Sequence, residues 1–210
     1  YEKVRRSLMK EIVFASCNQK KKAEIQRMAP SNIKILGLND IENAKSVEQV
    51  EETGKTFMEN ALIKARYWAK KLKMPVIAED SGIEIDALDG YPGVYTKRCI
   101  EQLCPGENVD SDKPEELYPM LLKLIDESKT KSKTAHWVSA ISYVDGEEEI
   151  CKQESISGKM CSCRGDRKFG FDQYFEPEGE NKTLSELLPE EKDEIGPRKK
   201  AFLEVLEKIK

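Results

Sequence analysis

Two carboxylates stand side by side at Glu79-Asp80, directly after the apolar run Val76-Ile77-Ala78. Acids at the end of a buried strand are suited to holding a divalent cation or taking a proton from water. Ionised acids that close together are costly unless water, a metal or another cation compensates. Successive strand residues face opposite sides, so only one of the pair should enter a given pocket, and the pattern alone does not choose which. A second polar set follows the strand candidate Ile12-Val13-Phe14-Ala15: Ser16, Asn18 and the lysines Lys20, Lys21 and Lys22. A strand-to-helix turn of that kind presents backbone N–H and ammonium groups to phosphate. It lacks the glycines and the closing Gly-Lys-Ser/Thr of a P-loop, and the plainer reading of its lysines is a solvated helix start. A third set places Arg164, Arg167 and Lys168 beside Phe169, Phe171, Tyr174 and Phe175. Cations next to aromatics suit a nucleotide, although a hydrophobic hairpin with a charged edge has the same composition.

These groups need elements to hold them. Thr56 and Glu59 have capping-box spacing at the start of a helix. Phe57, Ala61, Ala65, Trp68 and Leu72 recur as its core-facing stripe, which reads Trp68 as core rather than as a base-stacking platform. Asn60, Lys64 and Tyr67 occupy a neighbouring face, so Lys64 can point toward the turn rather than into the core. Ser81-Gly82 reads as a turn after Asp80, with Ile83, Ile85 and Ala87 alternating inward beyond it. A helix from about Lys20 should stop before Pro30, and residues 33–38 form a further strand. Leu117, Met120, Leu121, Leu124 and Ile125 mark another helix, after a charged linker at residues 101–114. Asp145-Gly146 joins two alternating strands as a hairpin. A short helix is expected over Leu184–Leu188, and Arg198 opens a last helix with the stripe Phe202, Val205, Leu206 and Ile209.

With 210 residues the chain can bury one substantial core or two lobes sharing a sheet. Its 39 acidic and 35 basic residues leave a net charge of -4 and no long basic tract, so a nucleic acid polymer is not the expected partner. No run of about 18 apolar residues suggests a membrane span, and residues 1–9 have no apolar stretch of the secretory kind. Six unevenly spaced cysteines, Cys17, Cys99, Cys104, Cys151, Cys161 and Cys163, read as reduced thiols in a cytoplasmic protein. Cys161 and Cys163 are too close for a zinc knuckle, and His136, the sole histidine, reads as a packed or half-exposed strand residue.

Taken together, IVFASCNQKKKAEI, EETGKTFMENALIKA, PVIAEDSGIEIDALDGYPGVYTKR, RGDRKFGFDQYFEPEG and KTLSELLPEEKDEIGPRKKA resemble the inosine-triphosphate pyrophosphatase family. The segments keep the family's order and extend across nearly all of residues 11–206. The resemblance implies an α/β fold with an elongated, mixed central sheet flanked by helices, and two lobes with an active-site cleft between them. Lobe one would take about residues 10–100 plus the C-terminal helix, and lobe two about 115–180, within one domain. It implies a homodimer that cleaves ITP, dITP and XTP to nucleoside monophosphate and pyrophosphate with Mg²⁺, or Mn²⁺ in its place.

By position, Ser16, Asn18 and Lys21 resemble the family's phosphate-binding turn, with Cys17 where many members have glycine. Glu52 and Asp80 resemble its metal-holding acids, and Asp80 its general base. Glu79 resembles a supporting acid, Lys64 a phosphate lysine, and Ser81-Gly82 the turn beneath the metal. Phe169 corresponds to the aromatic that stacks on the purine, Asp172 to its acidic neighbour, and Lys192 and Arg198 to further substrate contacts. Two departures concern the base: Gly196-Pro197 stands where the family has Ser-His, and Gln173 replaces a proline. They leave two alternatives, a pyrophosphatase for another modified or ordinary nucleotide and a nucleotide-binding protein without turnover.

Overall fold

The computed structural model describes residues 9–44, 50–96, 99 and 114–209. The linker expected at 101–114 and Cys104 therefore lie almost wholly outside the described residues, as do residues 1–8. The described strands are β1 (Lys10–Phe14), β2 (Ile33–Gly37), β3 (Val76–Ile85), β4 (Thr134–Asp145), β5 (Glu148–Met160) and β6 (Phe175–Pro177). The helices used below are α1 (Gln19–Met28), α2 (Phe57–Leu72), α3 (Pro114–Glu127), α4 (Pro189–Ile195) and α5 (Pro197–Leu206). Sheet order is β2-β1-β3-β4-β5-β6. Strand β1 runs parallel to β2 and β3, whereas β5 and β6 are antiparallel, so the α/β sheet is mixed.

The described residues divide into two compact units. The first takes its residues from Tyr1–Asp80, Ser139–Glu154 and Arg198–Lys210. Residues 12–14 of β1 and 76–79 of β3 are buried on both faces, which explains their near-continuous apolar runs. Ile12, Phe14 and Ile77 pack with Ile25 of α1 and Phe202 and Val205 of α5. Val13, Val76 and Ala78 pack with Ala65 and Trp68 of α2. Within this unit, pleat alternation thus presents Ile77 of β3 to α1 and α5, and Val76 and Ala78 to α2.

Helix α2 begins as its sequence dictates. Thr56 Oγ1 accepts from the Glu59 N–H at 3.2 Å, and Glu59 Oε2 accepts in return from the Thr56 N–H at 3.1 Å. Lys73 closes the helix in the left-handed region, its N–H bonded to Ala69 O.

The second unit takes Ser81–Val138 and Ser155–Pro197. Ile83 and Ile85 of β3, Leu121 and Ile125 of α3, and Trp137, Phe171 and Phe175 form its core. Two expectations are corrected here. Ser81-Gly82 is not a turn: β3 runs unbroken through it from Val76 to Ile85. Ladder bonds to neighbouring strands override the local turn preference of a Ser-Gly pair, and glycine is tolerated within a strand. Residues 184–186 form a turn rather than a helix, and the helix begins at Pro189, whose missing N–H suits the first helical position. Among the described residues no helix is long and apolar enough to cross a membrane. Cys17, Cys99, Cys151, Cys161 and Cys163 are free thiols.

Candidate active site

Asp80 ends the first unit on the α2 side of β3. Its Oδ2 accepts from Asn60 Nδ2 at 3.1 Å, and its Oδ1 lies 3.5 Å from Lys64 Nζ. Lys64 also donates to Glu52 Oε1 at 2.6 Å, so one ammonium bridges the two acids that the resemblance assigns to metal. Burial raises the Asp80 pKa, with the nearby Glu52 charge adding to the rise, while Lys64, Lys21 and the Asn60 hydrogen bond oppose it. The carboxyl is therefore a stronger base than an ordinary aspartate.

Glu79 faces the other way. Its Oε1 accepts from Arg198 Nε at 2.7 Å and from Ser139 Oγ at 2.9 Å. Its Oε2 stands 3.2 Å from Lys21 Nζ without the angle of a hydrogen bond, and is otherwise unpartnered. Arg198 donates through its other arm to Glu24 of α1. Burial pushes the Glu79 pKa up, but the Arg198 and Lys21 charges and the Arg198 and Ser139 hydrogen bonds hold it well below the carboxylate range. Burial also lowers the Lys21 pKa, against the attraction of Glu79 and with the repulsion of Arg198 and Lys64.

The turn before α1 has the geometry its residues suggest. Asn18 Oδ1 accepts from the N–H groups of Lys20 and Lys21 at 3.0 and 3.2 Å, and Ser16 Oγ accepts from the Asn18 N–H at 3.1 Å. A capped helix start beside Lys21 favours an anion.

In the second unit, Lys192 of α4 donates to Asp172 Oδ2 at 2.6 Å. Its ammonium lies 4.6 Å from the centre of the Phe169 ring and 5.4 Å from that of Trp137. Lys192 is only 6% exposed, so this aromatic setting stabilises the charge where water does not reach. At Gly196, which ends α4, an added Cβ would stand 2.9 Å from Lys192 O and 3.0 Å from the Trp137 ring. The Gly-Pro departure is therefore packed directly against Trp137 and the backbone of Lys192, the latter a residue expected to meet substrate.

The structure brings Glu52, Lys64 and Asp80 together, gathers Lys21 and Arg198 at Glu79, and gathers Phe169, Asp172 and Lys192 in the second unit. Ser81 lies half-buried within β3 beside Asp80. Sequence reasoning missed Glu24, Ser139 and Trp137 as partners, and took Asn60 only as a face-mate of Lys64. A polar residue next to Phe57 and Ala61 of the apolar stripe of α2 was the available signal for Asn60. His136 contacts Asp86 Oδ1 at 3.0 Å and Ser157 Oγ at 3.2 Å. This half-exposed array shares no residue with the sets above.

Magnesium and manganese prefer oxygen ligands, and magnesium is commonly held by one or two carboxylates together with water and phosphate oxygens. Glu52 and Asp80, two acids on one ammonium, fit that donor set. Among the described residues no group of three or more His, Cys, Asp or Glu side chains gathers to hold a metal by protein alone.

The profile described as the Ham1 family matches residues 12–208. A dITP/XTP pyrophosphatase of Aquifex aeolicus (strain VF5) is 37% identical over 204 residues, covering 95% of this chain and 96% of the relative. A second dITP/XTP pyrophosphatase, from Elusimicrobium minutum (strain Pei191), is 34% identical over 209 residues, covering 95% and 100%. Among solved structures, a HAM1 protein from Coxiella burnetii superposes with a TM-score of 0.80 at 32% identity, covering 93% of this chain and 96% of that one.

Proposed function

The chain belongs to the Ham1 family, and from that premise we propose that it hydrolyses ITP, dITP and XTP to the nucleoside monophosphate and pyrophosphate. The observation that carries the reading is Asp80: a partly buried acid with a raised pKa, held between Asn60 and Lys64 beside a second acid.

Asp80 accepts a proton from the attacking water as its oxygen bonds the α-phosphorus. The bond from that phosphorus to the bridging oxygen breaks, and pyrophosphate leaves. Lys64 and Lys21 meet the negative charge that gathers on the leaving group. Phosphate oxygens arriving at Lys21 favour its charged form, against the burial that lowers its pKa. The Asn18-capped start of α1 supplies N–H groups to the same phosphates. A divalent ion held by Glu52 and Asp80, when bound, neutralises charge on the phosphate oxygens. Glu79, committed to Arg198 and Lys21, keeps those cations in place. Phe169 stacks on the purine while Asp172 and Lys192 present polar groups to the nucleotide.

A second reading, action on another modified or an ordinary nucleotide, is favoured by one observation. Gly196 and Pro197 offer the base no side-chain donor, and Gly196 has no room for one beside Trp137. The proposal also takes from the resemblance a cytoplasmic homodimer whose two lobes, about residues 10–100 with the last helix and 115–180, bound the cleft. Light scattering of the purified protein tests the dimer.

The purified protein with Mg²⁺ is expected to release pyrophosphate from ITP, dITP and XTP at least tenfold faster than from ATP or GTP. No release from any nucleotide contradicts the hydrolase, and equal rates on ATP and ITP contradict the selectivity. Binding of ITP without turnover would leave only a nucleotide-binding protein.

A further inference from the structure

We propose that Asn60 is a positioning residue for this reaction: its amide fixes the orientation of Asp80 and ties that carboxylate to the loop that carries Glu52. The inference rests on the pyrophosphatase reading and adds a residue to it.

Asn60 is fully buried in the first turn of α2. Both ends of its amide are used. Nδ2 donates to Asp80 Oδ2 at 3.1 Å, while Oδ1 accepts from the Gly54 N–H at 2.8 Å. An amide donates at one end and accepts at the other, and here a carboxylate faces the first and an N–H the second, so a single orientation satisfies both. A buried amide with both ends paired specifies its surroundings far more sharply than an apolar residue of the same size.

The loop is built to reach it. A Cβ at Gly54 would stand 2.6 Å from Asn60 Oδ1 and 2.7 Å from Glu59 Cβ. Only glycine lets the backbone settle that closely on the helix. The next two N–H groups, of Lys55 and Thr56, are both held by Glu59 Oε2 at 2.6 and 3.1 Å. Three successive loop amides thus end on side chains of the first turn of α2, and Glu52 lies two residues before the first of them. Lys64, one turn beyond Asn60, bonds Glu52 at 2.6 Å from the same side of the helix. Asn60 occupies Asp80 Oδ2, which leaves Oδ1, 3.5 Å from Lys64 Nζ, as the oxygen that takes the proton.

Asn60→Asp separates the two bonds. The new carboxylate keeps an acceptor for the Gly54 N–H but faces Asp80 without a donor. We expect kcat on ITP to fall roughly 100-fold while KM stays within threefold, since substrate contacts are untouched. The exchanged pair Asn60→Asp/Asp80→Asn restores a donor and an acceptor across the gap. It should recover the thermal midpoint but not turnover. Gly54→Ala keeps Asn60 and displaces it, and should lower kcat about tenfold with KM unchanged. It therefore tests the same point even if Asn60→Asp does not fold. A kcat within threefold of wild type in Asn60→Asp or Gly54→Ala overturns the inference, as does loss that merely tracks the folded fraction. A wild-type protein that releases no pyrophosphate overturns instead the reading beneath it.

Discussion

On the α1 and α5 side of β3, Glu79 meets Arg198, Lys21 and Ser139 and stays ionised far into acid. On the α2 side, its neighbour Asp80 meets Asn60 and Lys64 with Glu52 nearby, and its pKa rises. One rise along the strand separates a locked counter-ion from a poised base. Neither position differs in chemistry, so what divides their roles is the helix each one faces. A sheet buried on both sides converts the pleat into two environments, and adjacent carboxylates can then do different work.

The sharpest way to break this contrast is Asp80→Asn. It keeps the size of the side chain and removes the base, so kcat on ITP should fall about 10²- to 10⁴-fold with the thermal midpoint nearly unchanged. Near-normal turnover would remove Asp80 from the chemistry. Glu79→Gln should do the reverse. It leaves Arg198 with Glu24 and Lys21 without its main partner, at about 3–5 kcal/mol of stability, read from the denaturant midpoint. An unchanged midpoint would erase the distinction.

The pKa shifts of the two acids have opposite signs. The Glu79 pKa is depressed from its ordinary 4.5, so its stabilisation is present above that value and is lost as pH falls toward the folded-state pKa. Acid unfolding below about pH 4.5 should flatten in Glu79→Gln. The Asp80 pKa is raised, so activity should fall on the acid side at a higher pH than an ordinary aspartate would give. Lys64 opposes that rise, and Lys64→Gln should move the acid limb of kcat/KM further up. A limb that stays in place would show that Asp80 is not the titrating base.

The smallest effect is a control for position alone. Thr56→Ala removes the cap of α2 and should lose about 1 kcal/mol of stability while leaving kcat within twofold.

Much of this arrangement is legible in the chain. The α2 capping box, its apolar stripe, the hairpin at Gly146 and the Asn18 turn follow from local spacing and residue type. The choice between Glu79 and Asp80 does not, because it depends on which helices cover each face. Arg198 lies 119 residues from Glu79 and 174 from Glu24, and no local pattern joins them. The Ser81-Gly82 reading failed for a related reason: a dipeptide suggests a turn, while bonds to distant strands decide whether the chain bends. Family resemblance supplied roles for Phe169, Asp172 and Lys192. Trp137, which packs on Gly196 and Lys192, became visible only with the fold.

Hydrolysis of ITP in ¹⁸O-labelled water, with Mg²⁺, tests the central claim most directly. Attack of water at the α-phosphorus, assisted by Asp80, places the label in the inosine monophosphate and leaves pyrophosphate unlabelled. Label in the pyrophosphate, or release of inosine diphosphate and inorganic phosphate, would contradict it.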